Sequence, residues 1–122
     1  KLHKNGNNTS SGEGIILTLK DVNNSQVQEY DLLAIVNQLK FEGAKAISIN
    51  GQRIVNTTSI ISIENKMLVN NKRITNPFII KATGSKDLLN NSMQNGYLYN
   101  LKNEGISVDY EKLDTITIEE YK

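Results

Sequence analysis

The clearest hydrophobic pattern in the chain runs from Asp31 to Ile54. Leu32, Leu33, Ile35, Val36 and Leu39 recur at spacings of three and four, which gathers them on one stripe of a helix. Asp31 is the expected N-cap, with a carboxylate able to accept from free N–H groups of the first turn. Gly43 stands where a helix stops in a left-handed residue. The period then changes to two. In Ala46-Ile47-Ser48-Ile49 the isoleucines share one face, and Ala46 and Ser48 the other. Asn50-Gly51 ends that strand as a turn, and Gln52 and Arg53 follow beside it.

The same reading extends along the chain. Gly14 opens Ile15–Leu19, which is almost continuously apolar, as expected of a central strand. Thr58 to Ile63 and Lys66 to Val69 are parted by Glu64-Asn65, which predicts a hairpin, and Asn70-Asn71 offers a second turn. Pro77 precedes Phe78–Ala82 and marks the entry to a strand. Ser85 is the next expected cap, with Asp87 in the first turn. Leu88, Leu89, Met93, Tyr97 and Leu101 then form a helical stripe interrupted by Gly96. Gly105 closes this helix as Gly43 closes the first. Ile106, Val108 and Tyr110 alternate, and Thr115 to Ile118 alternates again, as one long bent strand or two short ones.

With the hairpin set aside, the order is βαββαβ, the split arrangement of ferredoxin-like domains. The expected fold is therefore an α+β sandwich with an inserted β-hairpin, two helices lying on one face of a mainly antiparallel sheet. Its first and third strands are central in that arrangement, and these are the two most apolar strands of the chain. Residues 14–122 form the expected single domain. Residues 1–13, rich in Asn, Ser, Gly and Lys, read as the flexible end of a linker.

Two helices cover one face only. If Ile15, Leu17, Leu19, Phe78, Ile80 and Ala82 meet them, then Ile16, Thr18, Ile79 and Lys81 point to the other side. A half-apolar open face predicts an interface. Self-association is favoured over burial by the hairpin.

Composition narrows the function classes. The 122 residues suffice for one domain with a real core. Fourteen basic and thirteen acidic residues leave a net charge of +1 with no dense basic stripe, so nucleic acid is not an expected partner. No cysteine is present, which excludes disulfides and thiolate metal sites. Asn-x-Ser/Thr triplets at Asn7, Asn23, Asn56 and Asn90 follow from the high asparagine content and are not read as glycosylation sites. No apolar run approaches the roughly 20 residues that span a bilayer.

The segment EGAKAISINGQR, Glu42 to Arg53, resembles the signature of a bacterial family of unknown function numbered eight-eight-one, often labelled division initiation protein. Matching pieces follow in order: Gly14–Asp21, Leu68–Lys72, Pro77–Gly84 and Val108–Tyr121. The polar run Asn90–Asn95 departs from the more apolar helix of relatives and leaves the length of the second helix open. The resemblance implies an N-terminal membrane helix and a coiled-coil segment ahead of this domain, with the domain on the extracytoplasmic side of the cell membrane and a setting in cell division or the envelope. It carries no catalytic residues, because the family has no established activity.

Candidate chemistry is sparse. His3 is the sole histidine and lies in the tail, so neither a metal site, a cofactor nor a Ser-His-Asp triad is expected. Gly12-Glu13-Gly14 precedes a strand instead of following one and lacks the third glycine of a dinucleotide fingerprint. Asn50, Gly51, Gln52 and Arg53 remain. They are either a contact patch in which Arg53 offers its planar donor fork, or a turn tied to neighbouring backbone carbonyls, and the second is favoured, since Asn-Gly makes turns unaided. Of Tyr97 and Tyr99, one is expected to pack on the sheet and the other to face outward as part of a contact surface. The expected function is a non-enzymatic interaction domain that binds a protein partner or a second copy of itself. The alternative is a small-ligand-binding sensor of ferredoxin-like type.

Overall fold

The computed structural model describes residues 8–121. The first helix, α1 (Glu29–Phe41), begins two residues before the expected cap. Gln28 takes the cap position and Asp31 acts from inside the first turn, its Oδ2 accepting the Gln28 N–H at 2.7 Å. Leu32, Ile35, Val36 and Leu39 are buried, whereas Leu33 is half exposed and leaves the stripe. Gly43 (φ 91°) and Gly105 (φ 102°) end the helices identically. In each case the next residue, Ala44 or Ile106, donates its N–H back to Leu39 or Leu101.

The second helical stretch is broken in two: α2 (Lys86–Asn95) and α3 (Tyr97–Asn103). The cause lies opposite Gly96. The Gln38 amide enters the break, donating to Ser92 O at 2.7 Å and accepting from Tyr97 N at 3.2 Å. A Cβ on Gly96 would fall 2.1 Å from the Gln38 nitrogen. The break also rotates the stripe. Leu89, Met93, Leu98 and Leu101 are buried, and Leu88 is half exposed.

The main sheet contains β1 (Ser10–Lys20), β2 (Ala46–Ile49), β3 (Gln52–Arg53), β7 (Phe78–Thr83) and β8 (Ser107–Ile118), in the order β3-β2-β7-β1-β8. All its neighbouring pairs are antiparallel, with β1 and β7 in the middle as the apolar pattern requires. The architecture is α+β. Between β3 and β7 the chain forms a second sheet from β4 (Ile60–Ile63), β5 (Lys66–Val69) and β6 (Lys72–Ile74). The expected hairpin is thus a three-stranded meander. Its turns place Glu64, Asn65, Asn70 and Asn71 at positive φ, which asparagine tolerates better than most residues.

The strand faces fall as the alternation implies. Ile15, Leu17, Leu19, Phe78, Ile80 and Ala82 are buried in one core with the helices. Met67, Val69 and Ile74 of the meander join that same core. The Ser62 N–H meets Glu29 Oε1 at 2.8 Å, so the meander packs beside the start of α1 and does not fold over the open face.

What does cover part of that face is the pair of ends of β1 and β8. The strand begins at Ser10, four positions before the expected Gly14, and its register with β8 shifts between Gly12 and Gly14. Beyond this bulge the ribbon curls across the sheet. Ile116 and Ile118 are buried, and Ile116 Cδ1 lies 2.8 Å from where a Gly14 Cβ would stand. Ser10 Oγ meets Thr83 Oγ1 at 3.0 Å. The result is a face closed over β2, β3 and the Gly14–Thr83 end of β1 and β7, and open over the remainder of β7, β1 and β8.

Candidate functional site

The turn singled out by sequence is anchored at both ends. Asn50 (φ 47°) and Gly51 (φ 82°) make the tight turn between β2 and β3. The Asn50 side chain also secures the entry to β7. Its Nδ2 donates to Thr75 O at 3.0 Å and to Pro77 O at 3.3 Å, and its Oδ1 accepts the Ile79 N–H at 2.6 Å. These bonds span the cis Asn76–Pro77 peptide. Gly51 is exposed and Gln52 half-buried.

Arg53 is only 2% exposed. It stands on the non-helical face, since it pairs with Ser48, which pairs with Lys81. Its Nη1 donates to Asn8 O at 2.9 Å and to Glu119 O at 3.0 Å, binding the first and last parts of the curled ribbon to one guanidinium. Nε and Nη2 are buried without a partner among the described residues, and desolvation lowers the arginine's pKa. The backbone of Arg53 is held as well, its carbonyl accepting from Asn70 Nδ2 at 2.8 Å. Asn50 and Arg53 therefore direct their polar groups at the chain's own backbone.

The uncovered part of the sheet presents the four residues expected there. Ile16, Thr18 and Lys81 are half-buried and Ile79 is 36% exposed. The register sets them in rows: Lys81, Ile16 and Glu111 lie side by side, and Ile79, Thr18 and Asp109 form the next row. Glu111 and Asp109, both exposed, complete a patch that sequence alternation alone does not assign, because nothing in the sequence states which β8 residue meets which in β1.

On the far side, a cleft of about 420 Å³ opens between the β1–α1 connection, the meander and the start of β7. Val27, Met67, Ile74 and Phe78 line it with apolar surface, and Lys66 and Arg73 stand among its polar residues. Neither cation forms an ion pair among the described residues. Nearby carboxylates are engaged by backbone: Asp21 Oδ1 accepts from Val27 N at 2.8 Å, and Glu29 from Ser62 N. Among the described residues no group of three His, Cys, Asp or Glu side chains stands together as a metal site, and no helix is long and apolar enough to cross a membrane. His3 lies outside the described residues.

The two tyrosines divide as expected, Tyr99 exposed and Tyr97 packed inward. The Tyr97 hydroxyl donates to Oδ1 of the buried Asp31. Burial first, then this hydrogen bond, pushes the Tyr97 pKa well above the usual tyrosine range. Below the ordinary value near 10, folded and unfolded chains both keep the proton, and the contribution to stability is whole. Above it only the unfolded chain releases the proton, so stability falls as pH rises toward the folded-state value. Thermal melts from about pH 9 to 11 should show a smaller loss for Tyr97→Phe than for the parent. Equal losses over that window would mean that the phenol is not held by Asp31.

Three comparisons place the chain. The crystal structure of an uncharacterized conserved protein from Mycobacterium tuberculosis superposes with a TM-score of 0.86 over 97% of this chain and 87% of that one. At 22% identity this likeness shows the fold alone. The UPF0749 protein YlxW of Bacillus subtilis (strain 168) is 32% identical, with 83% of this chain matched to 48% of that protein. The chain thus spans about half the length of that curated relative. Residues 3–122 match the family model described as "Bacterial protein of unknown function (DUF881)", and the chain belongs to that family.

Proposed function

We propose that this chain is a non-enzymatic interaction domain, carried on the extracytoplasmic side of the bacterial membrane by an N-terminal anchor in a longer protein and serving cell division or the envelope. The location and setting rest on the family resemblance. The interaction role rests on one observation: the sheet face opposite the helices is closed over β2 and β3 by the chain's own ends, and left open over Ile16 and Ile79. Apolar residues on an uncovered face are what a partner buries. These 122 residues contain no cysteine, so a single thiol introduced into them, compared with the unsubstituted protein labelled in parallel, reports on its own position. Asn91→Cys, on the exposed side of α2, should react with a membrane-impermeant maleimide in intact cells, whereas Ile79→Cys should be protected there and reactive in the purified, dilute chain. Labelling of Asn91→Cys only after lysis would overturn the location. Equal labelling of Ile79→Cys in both settings would overturn the interface.

A second reading, a small-ligand sensor, is favoured by the cleft, where Lys66 and Arg73, without ion pairs among the described residues, stand beside an apolar lining. Such a cleft suits a carboxylate with an apolar body. Titration with benzoate should then perturb the Val27 and Met67 amide resonances, and unchanged spectra would remove this reading.

A further inference from the structure

We infer that the occupant of the open face is a second copy of this chain, docked face to face about a two-fold axis parallel to β1 and passing over Ile16. This rests on the reading of that face as an interface and names its partner. The central row supplies the reason. Across the sheet it reads Lys81, Ile16, Glu111: a cation, an apolar residue and an anion. Lys81 and Glu111 sit on strands flanking β1, about 10 Å apart at the usual strand spacing, and they form no ion pair with each other or with another described residue. Two charges of opposite sign are thus presented outward with an isoleucine between them.

An interface between identical copies must be self-complementary. Rotation about an axis along the strands reverses the order of the row, so Lys81 of one copy faces Glu111 of the other, twice over, and Ile16 faces Ile16. Rotation about an axis lying across the strands would set Lys81 on Lys81 and Glu111 on Glu111. Charge therefore selects the first arrangement. Strand directions stay aligned, as in packed sheets, and the usual gap of about 10 Å accommodates one isoleucine from each side. In the adjoining row Thr18 faces Thr18, and Asp109 comes over Ile79, a poorer match that adds little. The curled ends of β1 and β8 border the patch and confine contact to β7, β1 and β8.

The patch holds far fewer side chains than the roughly 20–30 a side of a standard interface. The pair is consequently weak and dependent on concentration. Its charges set orientation more than strength. Sedimentation equilibrium of the 122-residue chain, at low ionic strength and concentrations up to about 1 mM, should show a reversible dimer. K81E sets carboxylates against each other at both symmetric contacts, and E111K does the same with ammonium groups. Each should weaken association by about tenfold or more, and the double variant K81E/E111K should restore it. All three variants change only solvent-accessible positions, and a thermal melt of each checks folding. A chain monomeric at every concentration, or charge reversals without effect, or a double variant that fails to recover, overturns the inference. If Ile79→Cys is still protected in cells in that event, the face is an interface for a different protein; if it is freely labelled there, the interface reading falls too.

Discussion

Arg53→Ala is expected to lower stability by about 3 kcal/mol, because hydrogen bonds from a charged donor contribute roughly 1.5–3 kcal/mol each and two are lost together. The bonds run from Nη1 to the carbonyls of Asn8 and Glu119. Part of the loss is offset, since Nε and Nη2 of the parent are buried without partners among the described residues. The damage should be local in character as well as global. The ends of β1 and β8 are held over β2 by this side chain, so amide exchange at Ile116 and Ile118 should accelerate more than exchange at Leu17 or Ile80. Arg53→Lys should be intermediate, as a single ammonium lacks the planar fork. An unchanged melting point for Arg53→Ala, measured without any partner, would show that the arginine does not hold the fold and would return it to candidacy as a contact residue.

Gly14→Ala should cost at least as much, about 3–4 kcal/mol, through overpacking at a position that cannot relax. The added Cβ would lie 2.0 Å from the carbonyl oxygen of Ala82 and 2.8 Å from Ile116 Cδ1. The isoleucine can move, but the oxygen belongs to the strand paired with β1. Chemical denaturation of Gly14→Ala alone and in an Ile116→Ala background separates the two contacts. If removing the isoleucine methyls recovers most of the stability, the clash is with the side chain and the strand spacing is more forgiving than this geometry implies.

Both positions show the reach and the limit of a hydrophobic pattern. By pattern, Gly14 opens a strand and Arg53 stands beside a turn. Each matters, however, because of contacts from residues far along the chain: Ala82 and Ile116 for the glycine, Asn8 and Glu119 for the arginine. The pattern starts the strand at Gly14 because Ser10 to Glu13 carries no apolar signal. Ser10 is buried nonetheless, its hydroxyl meeting that of Thr83. A polar residue paired with another polar residue leaves no trace in a hydrophobic pattern.

The helix corrections have a similar origin. Leu33 and Leu88 lie close enough to their stripes to be counted with them, and a helical stripe read from spacing has soft margins. Asp31 does satisfy the first turn of α1, but Gln28 takes the cap, because the carboxylate serves both the Gln28 amide and the Tyr97 hydroxyl from the third helical position. Gly96 marks a weak point in the second helical stripe on composition alone. That it becomes a full break depends on Gln38, a residue of the other helix.

The sequence by itself determined the α+β class, the succession of β1, α1, β2, an inserted β segment, β7, a second helical stretch and β8, and the central place of β1 and β7, because those follow from local periodicity and from how much each strand must bury; β3, the third strand of the meander and the break at Gly96 lay outside it. Alternation also determined which side chains of β1 and β7 share a face, and the structure assigned the set of Ile15, Leu17, Leu19, Phe78, Ile80 and Ala82 to the helices. The tertiary structure alone decided what happens on that second face: that the meander joins the helical core, that the ends of β1 and β8 curl over β2, and that Glu111 stands beside Ile16 opposite Lys81. Register between strands distant in sequence is a matter of which whole arrangement packs and pairs best, and no local run of residues contains it.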